Sequence, residues 1–477
     1  MIDPEELAVC LRVLAEVEAL PPESADAVRV RRATAGIFKS VKRARRIERR
    51  DAVNTADRAV VAATATGSPQ RIDDETEGIG LVSSAAGALA GVYVRARPCY
   101  ICKTGYTEVD AFYHQLCPSC AALNHARRDA RTDLTGRRAL LTGGRAKIGM
   151  HIALRLLRDG AHTTITTRFP NDAVRRFTAM PDSADWRHRL RVVGIDLRDP
   201  AQVVALADSV AAAGPLDILV NNAAQTVRRS RNAYGPLAAA EHDRLPDGPL
   251  PEVLTFDHIC DAHPHLIAGS LAEHPTPHRP DALTGAQLSR LALVAGSALP
   301  SVGGNGIDAG GLVPDVSAVN SWTQRVNEVD PLELLEVQLC NVTAPFILIS
   351  RLRAALAASP ARRTYIVNVS AMEGVFSRGY KGPGHPHTNM AKAALNMLTR
   401  TSAAEMLSDG ILMTAVDTGW ITDERPHPTK MRLADEGFHA PLDLVDGAAR
   451  VYDPIVQGEL GHDLYGCLLK DYRRADW

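Results

Sequence analysis

The chain has 477 residues, of which 45% are hydrophobic, and its formal net charge at pH 7 is −1. This length is enough for two or three domains with substantial cores. A charge so close to zero gives no global field that would favour nucleic acid or a membrane surface as the main partner. No apolar run is long enough to span a bilayer, and the acidic start, Met1 to Glu6, lacks a signal-peptide pattern. We therefore expect a cytoplasmic protein.

Residues 1–95 are predicted to form a helical N-terminal segment. Leu7, Leu11 and Leu14 recur at helical spacing, and a pair of prolines at 21 and 22 interrupts the pattern. The segment also contains a basic stretch: Lys39, Lys42, Arg43, Arg45, Arg46, Arg49 and Arg50. We interpret this stretch as a solvated helix face, because no aromatic residues interleave with the charges as a nucleic-acid stacking platform requires. Contact with nucleic acid or an acidic protein is the alternative.

Four of the eight cysteines form two Cys-x-x-Cys pairs: Cys99 with Cys102 and Cys117 with Cys120, fourteen residues apart. Two such pairs can place four thiolates tetrahedrally around one zinc ion, and a site with four protein ligands is structural. Residues 96–128 resemble a zinc ribbon of the rubredoxin-like type. A redox dithiol is the weaker alternative, because it explains one pair and not two.

From residue 134 to 477 the pattern changes to alternating strands and helices, which is typical of a doubly wound parallel sheet of the Rossmann type. The predicted strands are 138–141, 163–167, 192–195, 218–220, 365–369 and 411–416, and long helices are predicted at 332–356 and 390–407. An insertion at about 227–328, rich in Pro, Gly and His, is too long for a plain connection and is interpreted as a lid or a partly mobile excursion. Its histidines, His258, His263, His265, His274 and His278, match no metal-ligand spacing.

A glycine-containing turn, Thr142-Gly143-Gly144-Arg145-Ala146-Lys147-Ile148-Gly149, lies between the first of these strands and the next helix. In that position it lets the backbone and the helix N-terminus approach a pyrophosphate. Four further segments follow in order: Asp196-Leu197, Asn221-Asn222-Ala223-Ala224, Asn341 and Lys392. With them the chain resembles the short-chain dehydrogenase/reductase family over about residues 134–423.

The resemblance implies NAD or NADP as cofactor, with Asp196 and Leu197 at the adenine and Asn222, Ala223 and Ala224 beside the cofactor. It also implies that Gly419, Ile421 and Thr422 lie near the nicotinamide carboxamide. The end of the second strand carries Arg168 and no acid, and Arg145 and Lys147 add positive charge in the turn. A base at this strand end accepts the 2′-phosphate, so NADP is favoured over NAD.

The catalytic residues implied by the resemblance are only partly present. Lys392 and Asn341 match the family lysine and asparagine, but Thr388 stands where the family has its tyrosine. Ala371 occupies the serine position, with Ser370 one place early. A threonine hydroxyl does not ionise near neutral pH and cannot replace the tyrosine as acid–base. The candidates for a replacement are Tyr380, His385, His387 and Glu373.

Three interpretations stay open. Another group supplies the proton; or a substrate or water accepts it, so that positioning and Lys392 suffice; or the site binds NADP without turnover. The first two predict an NADP-dependent oxidoreductase acting on a carbonyl, imine or activated double bond of a small molecule. The third predicts a cofactor-binding sensor or scaffold that engages a protein or nucleic-acid partner through the zinc ribbon and the basic helix. Family members often form homo-oligomers through the helices that hold Asn341 and Lys392.

Overall fold

The structure is a computed structural model and describes residues 2–69, 71, 81–229, 231–256, 308, 310–314 and 317–477. Two helices open the chain, α1 at Pro4–Ala19 and α2 at Ala25–Ala63. Each begins at a side chain that accepts a first-turn backbone N–H, at 2.8 Å for Asp3 and 3.3 Å for Ser24. The basic residues of the 39–50 stretch are exposed on α2, in agreement with a solvated face.

The helical prediction for residues 1–95 is wrong beyond Ala63. Leu89–Pro98 forms strand β1, which pairs antiparallel with β2 at Gly105–Asp110. The branched and aromatic residues at 92–94 favour a strand, with Tyr93 buried and its two neighbours exposed, as alternation across a sheet requires. Helix α3, Pro118–Arg128, follows. We call β1, β2 and α3 with their connections the four-cysteine unit.

The second sheet has nine strands in the order β11-β10-β9-β8-β6-β3-β4-β5-β7, which confirms the doubly wound α/β fold. Its strands are β3 Arg138–Leu141, β4 His162–Thr167, β5 Leu190–Gly194, β6 Ile218–Asn221, β7 Glu252–Thr255, β8 Thr364–Ser370, β9 Ile411–Asp417, β10 Leu468–Lys470 and β11 Arg473–Ala475. All pairs are parallel except β10 with β11. The carboxyl ends of the parallel strands therefore meet along one edge, where a ligand crevice is expected.

Helices cover both faces of this sheet. They are α4 Lys147–Arg158, α5 Pro170–Thr178, α6 Ser183–Trp186, α7 Pro200–Ala212, α8 Gly235–Ala240, α9 Pro331–Gln338, α10 Ala344–Ala357, α11 Pro386–Met406, α12 His427–Asp435 and α13 Leu444–Glu459. One core cluster includes Ile152 of α4 and Val451 of α13. The other includes Leu206 of α7 and Leu352 of α10 on the opposite face. The two clusters fix the three-layer arrangement.

Helices α9 and α10 are joined by one π turn at Leu339–Thr343. The expectation that no apolar run is long enough to span a bilayer is wrong by length and composition. Within the described residues, the continuous helix Pro331–Ala357 has the length and hydropathy of a membrane span, and half of its apolar window is buried in the fold. Its apolar side chains pack on the sheet, as in a core helix. The π turn holds Asn341, and such turns are frequent at functional sites.

The predicted insertion at about 227–328 is described only in part. Strand β7 extends the sheet beyond β5, which the sequence pattern did not indicate. Near the other end, Asp308 and Gly310 contact the glycine-rich turn, as a lid would. Of the six histidines in the insertion, five lie outside the described residues: His258, His263, His265, His274 and His278.

Candidate functional site

The glycine-rich turn connects β3 to α4 and brings three backbone segments together. Gly143 has a φ of +69°, and a Cβ atom there would lie 2.9 Å from Cα of Ala223. A Cβ on Gly149 would lie 1.9 Å from the carbonyl oxygen of Gly143. Only glycine fits at these two positions. Lys147 stands where the family pattern has its middle glycine, and it keeps a left-handed φ of 54°, which costs a residue with a side chain about 1–2 kcal/mol.

Asn222 braces the turn from the end of β6. Its side-chain Nδ2 donates to the carbonyl oxygens of Thr142 at 3.1 Å and Gly143 at 3.0 Å. The hydroxyl of Thr142 accepts the backbone N–H of Asn222 at 3.0 Å. Asn221 donates to Asn368 of β8 at 2.9 Å. These bonds tie the turn to the sheet and leave its backbone N–H groups preorganised for an anion.

A cavity of about 380 Å³ lies at the carboxyl ends of β3, β4, β5 and β6. Twelve of the predicted cofactor contacts line it: Gly143, Arg145, Lys147, Ile148, Gly149, Arg168, Asp196, Leu197, Asn222, Ala223, Ala224 and Thr422. Thr142, Gly144, Lys392, Gly419 and Ile421 lie outside this lining. Two larger cavities, of about 620 and 670 Å³, lie at the amino ends of β3 to β5. Because parallel sheets bind ligands at the carboxyl ends of their strands, the smaller cavity is the candidate dinucleotide site.

Arg168 follows β4 at the rim of this cavity. Its guanidinium lies 4.9 Å from the ring centre of Tyr234 and 5.7 Å from that of Phe169, and it donates to the Tyr234 hydroxyl at 3.2 Å. Tyr234 belongs to the insertion and was not predicted as a site residue. The two rings hold a planar cation at the strand end, where an adenosine 2′-phosphate is recognised.

The two cations of the glycine-rich turn, Arg145 and Lys147, have anionic partners. Arg145 pairs with Asp172 at 2.5 Å and donates to the carbonyl oxygen of Gly310 at 2.7 Å. Lys147 lies 3.3 Å from Asp308. The described part of the insertion thus contacts both side chains of the turn that were predicted to add positive charge.

Asp196 is buried and paired with Arg198, a residue that the sequence reasoning missed. The shortest contact between them is 2.6 Å, and Arg198 also pairs with Glu336 of α9. Although burial acts to raise it, the pKa of Asp196 is lowered to about 2 by Arg198. The carboxylate is therefore ionised, and its oxygens are directed at the arginine. Spacing does indicate this contact, since Arg198 follows Asp196 by two residues.

Lys392 and Asn341, the two predicted catalytic residues that match the family pattern, are both buried. The Lys392 ammonium is buried and donates to the carbonyl oxygen of Val369 at 2.8 Å. Burial lowers its pKa to about 8, against the opposing effect of Glu373. Asn341 accepts the backbone N–H of Gln225 at 2.7 Å and donates to the carbonyl oxygen of Gln225 at 2.9 Å. The asparagine therefore links the π turn to the segment that follows β6.

The two hydroxyl candidates have different surroundings. Thr388 is buried in the first turn of α11, with its hydroxyl 3.5 Å from Nε2 of His387. Ser370 donates to Oδ1 of Asn396 at 2.6 Å and is fully buried. The Ser370 hydroxyl is thus held by α11, which leaves Ala371 as the residue at the family serine position.

The other proton-transfer candidates are not brought together. Tyr380 is 75% exposed, whereas His387 is buried and lies 4.0 Å from Glu333. Burial lowers the pKa of His387 to about 4, so this imidazole is neutral near pH 7. His385 precedes α11 with a left-handed φ of 40°, which is why the helix begins at Pro386 and not at the predicted Met390.

His385 and Glu373 form the remaining candidate pair. The imidazole of His385 stacks on Trp322 at 3.9 Å and its Nδ1 lies 2.9 Å from the carbonyl oxygen of that tryptophan. Its Nε2 lies 4.0 Å from Oε1 of Glu373. Both side chains are partly exposed, and Glu373 is close enough to Lys392 to influence its pKa.

The predicted zinc ligands converge in the four-cysteine unit. The Sγ atoms of Cys99, Cys102, Cys117 and Cys120 all lie within 4.8 Å of one another, and those of Cys102 and Cys117 are 3.6 Å apart. Tetrahedral zinc with Zn–S bonds of about 2.3 Å requires S–S separations of roughly 3.8 Å. The donor set and its spacing therefore fit a structural zinc ion.

Comparison with known proteins identifies similarities over different parts of the chain. A family model described as short chain dehydrogenase matches residues 137–240. An uncharacterized protein of Acanthamoeba polyphaga mimivirus is 30% identical over 375 residues, covering 75% of this chain and 71% of the relative. A probable oxidoreductase of Streptomyces antibioticus is 42% identical over 91 residues. That match covers 19% of this chain, and the chain spans only 30% of the Streptomyces protein.

Solved structures also resemble the chain. The NADP active-site complex of Pseudomonas aeruginosa RhlG has 18% identity and a TM-score of 0.43, covering 71% of this chain and 95% of that one. The NADPH-bound carbonyl reductase from chicken fatty liver has 17% identity and a TM-score of 0.43, covering 74% of this chain and 98% of that one.

Proposed function

The chain belongs to the short-chain dehydrogenase/reductase family, and on this premise we propose that it is an NADP-dependent oxidoreductase of a small molecule. The observation that carries the proposal is the buried Lys392, retained with Asn341 behind a cavity lined by twelve predicted dinucleotide contacts. Burial of an ammonium group costs free energy unless the charge interacts with a partner. The presence of a lysine at this buried position therefore favours a working cofactor site.

The cofactor is NADP in this proposal. Backbone N–H groups of the glycine-rich turn and the start of α4 bind the pyrophosphate. Arg168, which lies against Phe169 and Tyr234, binds the 2′-phosphate, and Lys392 binds the nicotinamide ribose. Ile421 and Thr422 contact the carboxamide. When bound, NADPH supplies the hydride that a carbonyl, imine or activated double bond accepts.

The proton is supplied by His385 with Glu373. Tyr380 lies in solvent and His387 is neutral and buried, whereas His385 is partly exposed and has a carboxylate 4.0 Å from its Nε2. Histidine is the side chain used most often for such proton transfer. In reduction of a carbonyl, hydride is added to the carbon, and the imidazolium gives its proton to the oxygen and becomes neutral.

Substrate panels with NADPH test the function. We expect purified protein to oxidise NADPH with at least one class of carbonyl, imine or enone substrate. Lys392→Ala should abolish turnover while circular dichroism shows an intact fold. Absence of turnover with every class, combined with micromolar NADPH binding, would contradict the enzyme proposal.

The proton relay is tested separately by variants in the β8–α11 connection. His385→Gln and Glu373→Gln are expected to reduce kcat by about 10²-fold or more, the usual contribution of a general acid. His387→Gln is the matched control and should stay within a few-fold of the unsubstituted protein. Equal losses in all three variants would indicate a structural effect and contradict the assignment.

A cofactor-binding sensor or scaffold is the second candidate function. It is favoured by the two departures from the family at one site, Thr388 and Ala371. This candidate predicts that bound NADPH is never consumed and that its binding changes affinity for a protein or nucleic-acid partner. An NADPH-oxidation assay in parallel with a partner-binding assay separates the two functions.

Zinc, a homo-oligomer and a cytoplasmic location complete the proposal. The four thiolates fit zinc, and reduced cysteines suit a reducing compartment. Phe346 on α10 and Met390 and Met397 on α11 are more than half exposed. Such side chains are suited to burial between copies of the chain. Metal analysis and sedimentation velocity test the first two points.

A further inference from the structure

The four-cysteine unit shares a hydrophobic core with two predicted cofactor contacts. Cys99 and Cys117 lie in one buried cluster with Ile421, the residue predicted beside the carboxamide. Ile148 of the glycine-rich turn packs against the same cluster. Metal ligands and cofactor contacts are thus neighbours in space, although more than 20 residues separate the closest of them in the chain.

Tyr100 lies between the two cysteines of the first pair and contacts residues 418–422, the loop that follows β9. Its hydroxyl oxygen accepts the backbone N–H of Trp420 at 2.9 Å. That N–H lies between Gly419 and Ile421, and Gly419 has a φ of 79° and no room for a Cβ, which would approach Leu442 to 2.6 Å. Tyr100, which lies between Cys99 and Cys102, therefore helps to hold the backbone of residues 418–422 in place.

A second set of contacts attaches the unit to the chain that follows this loop. Tyr113 donates to Asp446 at 2.6 Å, and Arg128 forms a bidentate pair with Asp443 at 2.6 and 2.7 Å. Gln115 donates to the carbonyl oxygen of His439 at 3.1 Å. Arg71 also donates to two carbonyl oxygens in this region, at 2.6 and 2.8 Å. Both ends of the segment between β9 and α13 are thus held by the N-terminal part of the chain.

We propose that the four-cysteine unit is a positioning element for the cofactor, and that metal binding at its cysteines is coupled to dinucleotide binding through Tyr100 and residues 418–422. Small metal-binding units commonly couple folding to metal binding. Loss of the metal frees Tyr100 and the cluster around Ile421, so the loop loses its preorganised position. Because such coupling is reciprocal for binding free energies, bound cofactor must also raise the affinity for the metal by the same factor. This inference rests on the proposed cofactor site.

Substitution of Tyr100 tests the contact with the metal in place. In Tyr100→Phe we expect NADPH affinity to fall about 5-fold, the value of one hydrogen bond, with one zinc ion per chain retained. Tyr93→Phe is the matched control, because the Tyr93 hydroxyl donates within the unit, to the carbonyl oxygen of His114 at 2.8 Å, and not to residues 418–422. Equal effects in both variants, or none in Tyr100→Phe, would overturn the proposal.

Hydrogen exchange gives a readout that does not require cofactor. Amides of residues 418–422 should exchange faster, by about 5-fold or more, in Tyr100→Phe than in Tyr93→Phe without NADPH. If NADPH fails to bind any variant, the proposed function fails, yet this comparison still decides whether the unit positions the loop. Unchanged exchange at 418–422 overturns the positioning claim.

Metal removal tests the coupling in both directions. Protein treated with a zinc chelator should lose at least 10-fold in NADPH affinity. Saturating NADPH should raise the zinc affinity, measured by equilibrium competition with a chromogenic chelator, by the same factor. Cys102→Ser should behave like the chelated protein, and Cys10→Ser, at an exposed cysteine of α1, should behave like the unsubstituted one. Unchanged NADPH affinity in the zinc-free protein, or a zinc affinity that does not change with NADPH, contradicts the coupling.

Discussion

The ammonium group of Lys392 lies 2.8 Å from the carbonyl oxygen of Val369, to which it donates a hydrogen bond. This carbonyl is the only anchor that the described contacts give the ammonium, and Glu373 adds a favourable charge at longer range. The bond directs a buried cation from α11 towards the carboxyl end of β8, which neighbours β6 at the edge of the sheet where the candidate cavity lies. Burial with so little compensation explains why the pKa of Lys392 is lowered to about 8.

Cofactor affinity should therefore depend on pH near 8. The pKa of Lys392 is below the ordinary 10.5, so the charged form predominates below about pH 8 and is lost above it. We expect NADPH affinity to fall as pH rises from 7.5 to 9.5, by at most 10-fold per unit, because one proton is involved. Fluorescence titration measures this. Lys392→Met should bind weakly and show a flat profile, and an equally steep profile in that variant would contradict the assignment.

Acid should destabilise the fold through buried histidines. Burial lowers the pKa to about 3 for His114 and to about 4 for His387 and His439, from the ordinary 6.5. The neutral form is favoured in the folded state, so the stabilisation is complete above pH 6.5 and is lost as pH falls towards 4. Each histidine contributes a slope of up to about 1.4 kcal/mol per pH unit.

Denaturant unfolding between pH 7 and 5 checks this expectation. In a plot of unfolding free energy against pH, His387→Leu should lower the slope by up to about 1.4 kcal/mol per pH unit, which is the contribution of one proton. His188→Gln, at an exposed position, should leave the slope unchanged. Because metal binding by thiolates is itself pH-dependent, zinc content is measured at each pH. A slope that is the same in His387→Leu as in the unsubstituted protein would disprove the role of that histidine.

Arg168 should decide the choice between the two nicotinamide cofactors. A charge-assisted arginine–phosphate contact contributes about 1.5–3 kcal/mol, so Arg168→Ala should weaken NADPH binding by roughly 10- to 100-fold. NADH binding should change little, because it lacks the 2′-phosphate. Arg353→Ala removes an exposed arginine paired with Glu405 and serves as the control. Equal losses for both cofactors in Arg168→Ala would refute 2′-phosphate recognition.

Lys147 offers a test of backbone strain at the glycine-rich turn. Lys147→Gly and Lys147→Ala both lose the contact with Asp308, but only glycine relieves the left-handed φ of 54°. The glycine variant should therefore be more stable than the alanine variant by about 1 kcal/mol. Thermal unfolding measures the difference. Greater stability of the alanine variant would mean that the turn does not hold this conformation.

Much of the reductase fold is predictable from local sequence, because its central strands are short apolar runs buried on both faces. Strand β9, Ile411–Asp417, ends one residue later than predicted. Strand β8, Thr364–Ser370, begins one residue earlier and ends one residue later than predicted. Element starts are less predictable. Helix α11 begins at Pro386 because His385 adopts a left-handed conformation, and this depends on stacking against Trp322, 63 residues away in sequence.

Contacts made at long range account for what the sequence did not predict. Strand β1 lies within a segment that was predicted to be helical, although its residues 92–94 favour a strand. The strand is stabilised by pairing with β2, which the sequence did not show. Tyr234 and Tyr100 carried no motif, and their roles depend on Arg168 and Trp420, which lie far from them along the chain. Twelve predicted cofactor residues line one cavity, whereas Tyr234 of the insertion and Tyr100 of the four-cysteine unit were not indicated by the sequence.

The two outer strands of the nine-stranded sheet bear on how copies of this chain can associate. An outermost strand with free backbone groups invites edge-to-edge pairing and aggregation, which charged side chains and short strands suppress. Strand β7 has four residues and carries Glu252, ion-paired with Arg191 at 2.8 Å. At the other side, β11 has three residues and presents Arg473 and Arg474 to solvent. The sheet is therefore protected against growth at both margins, which leaves the helical faces as the surfaces suited to self-association.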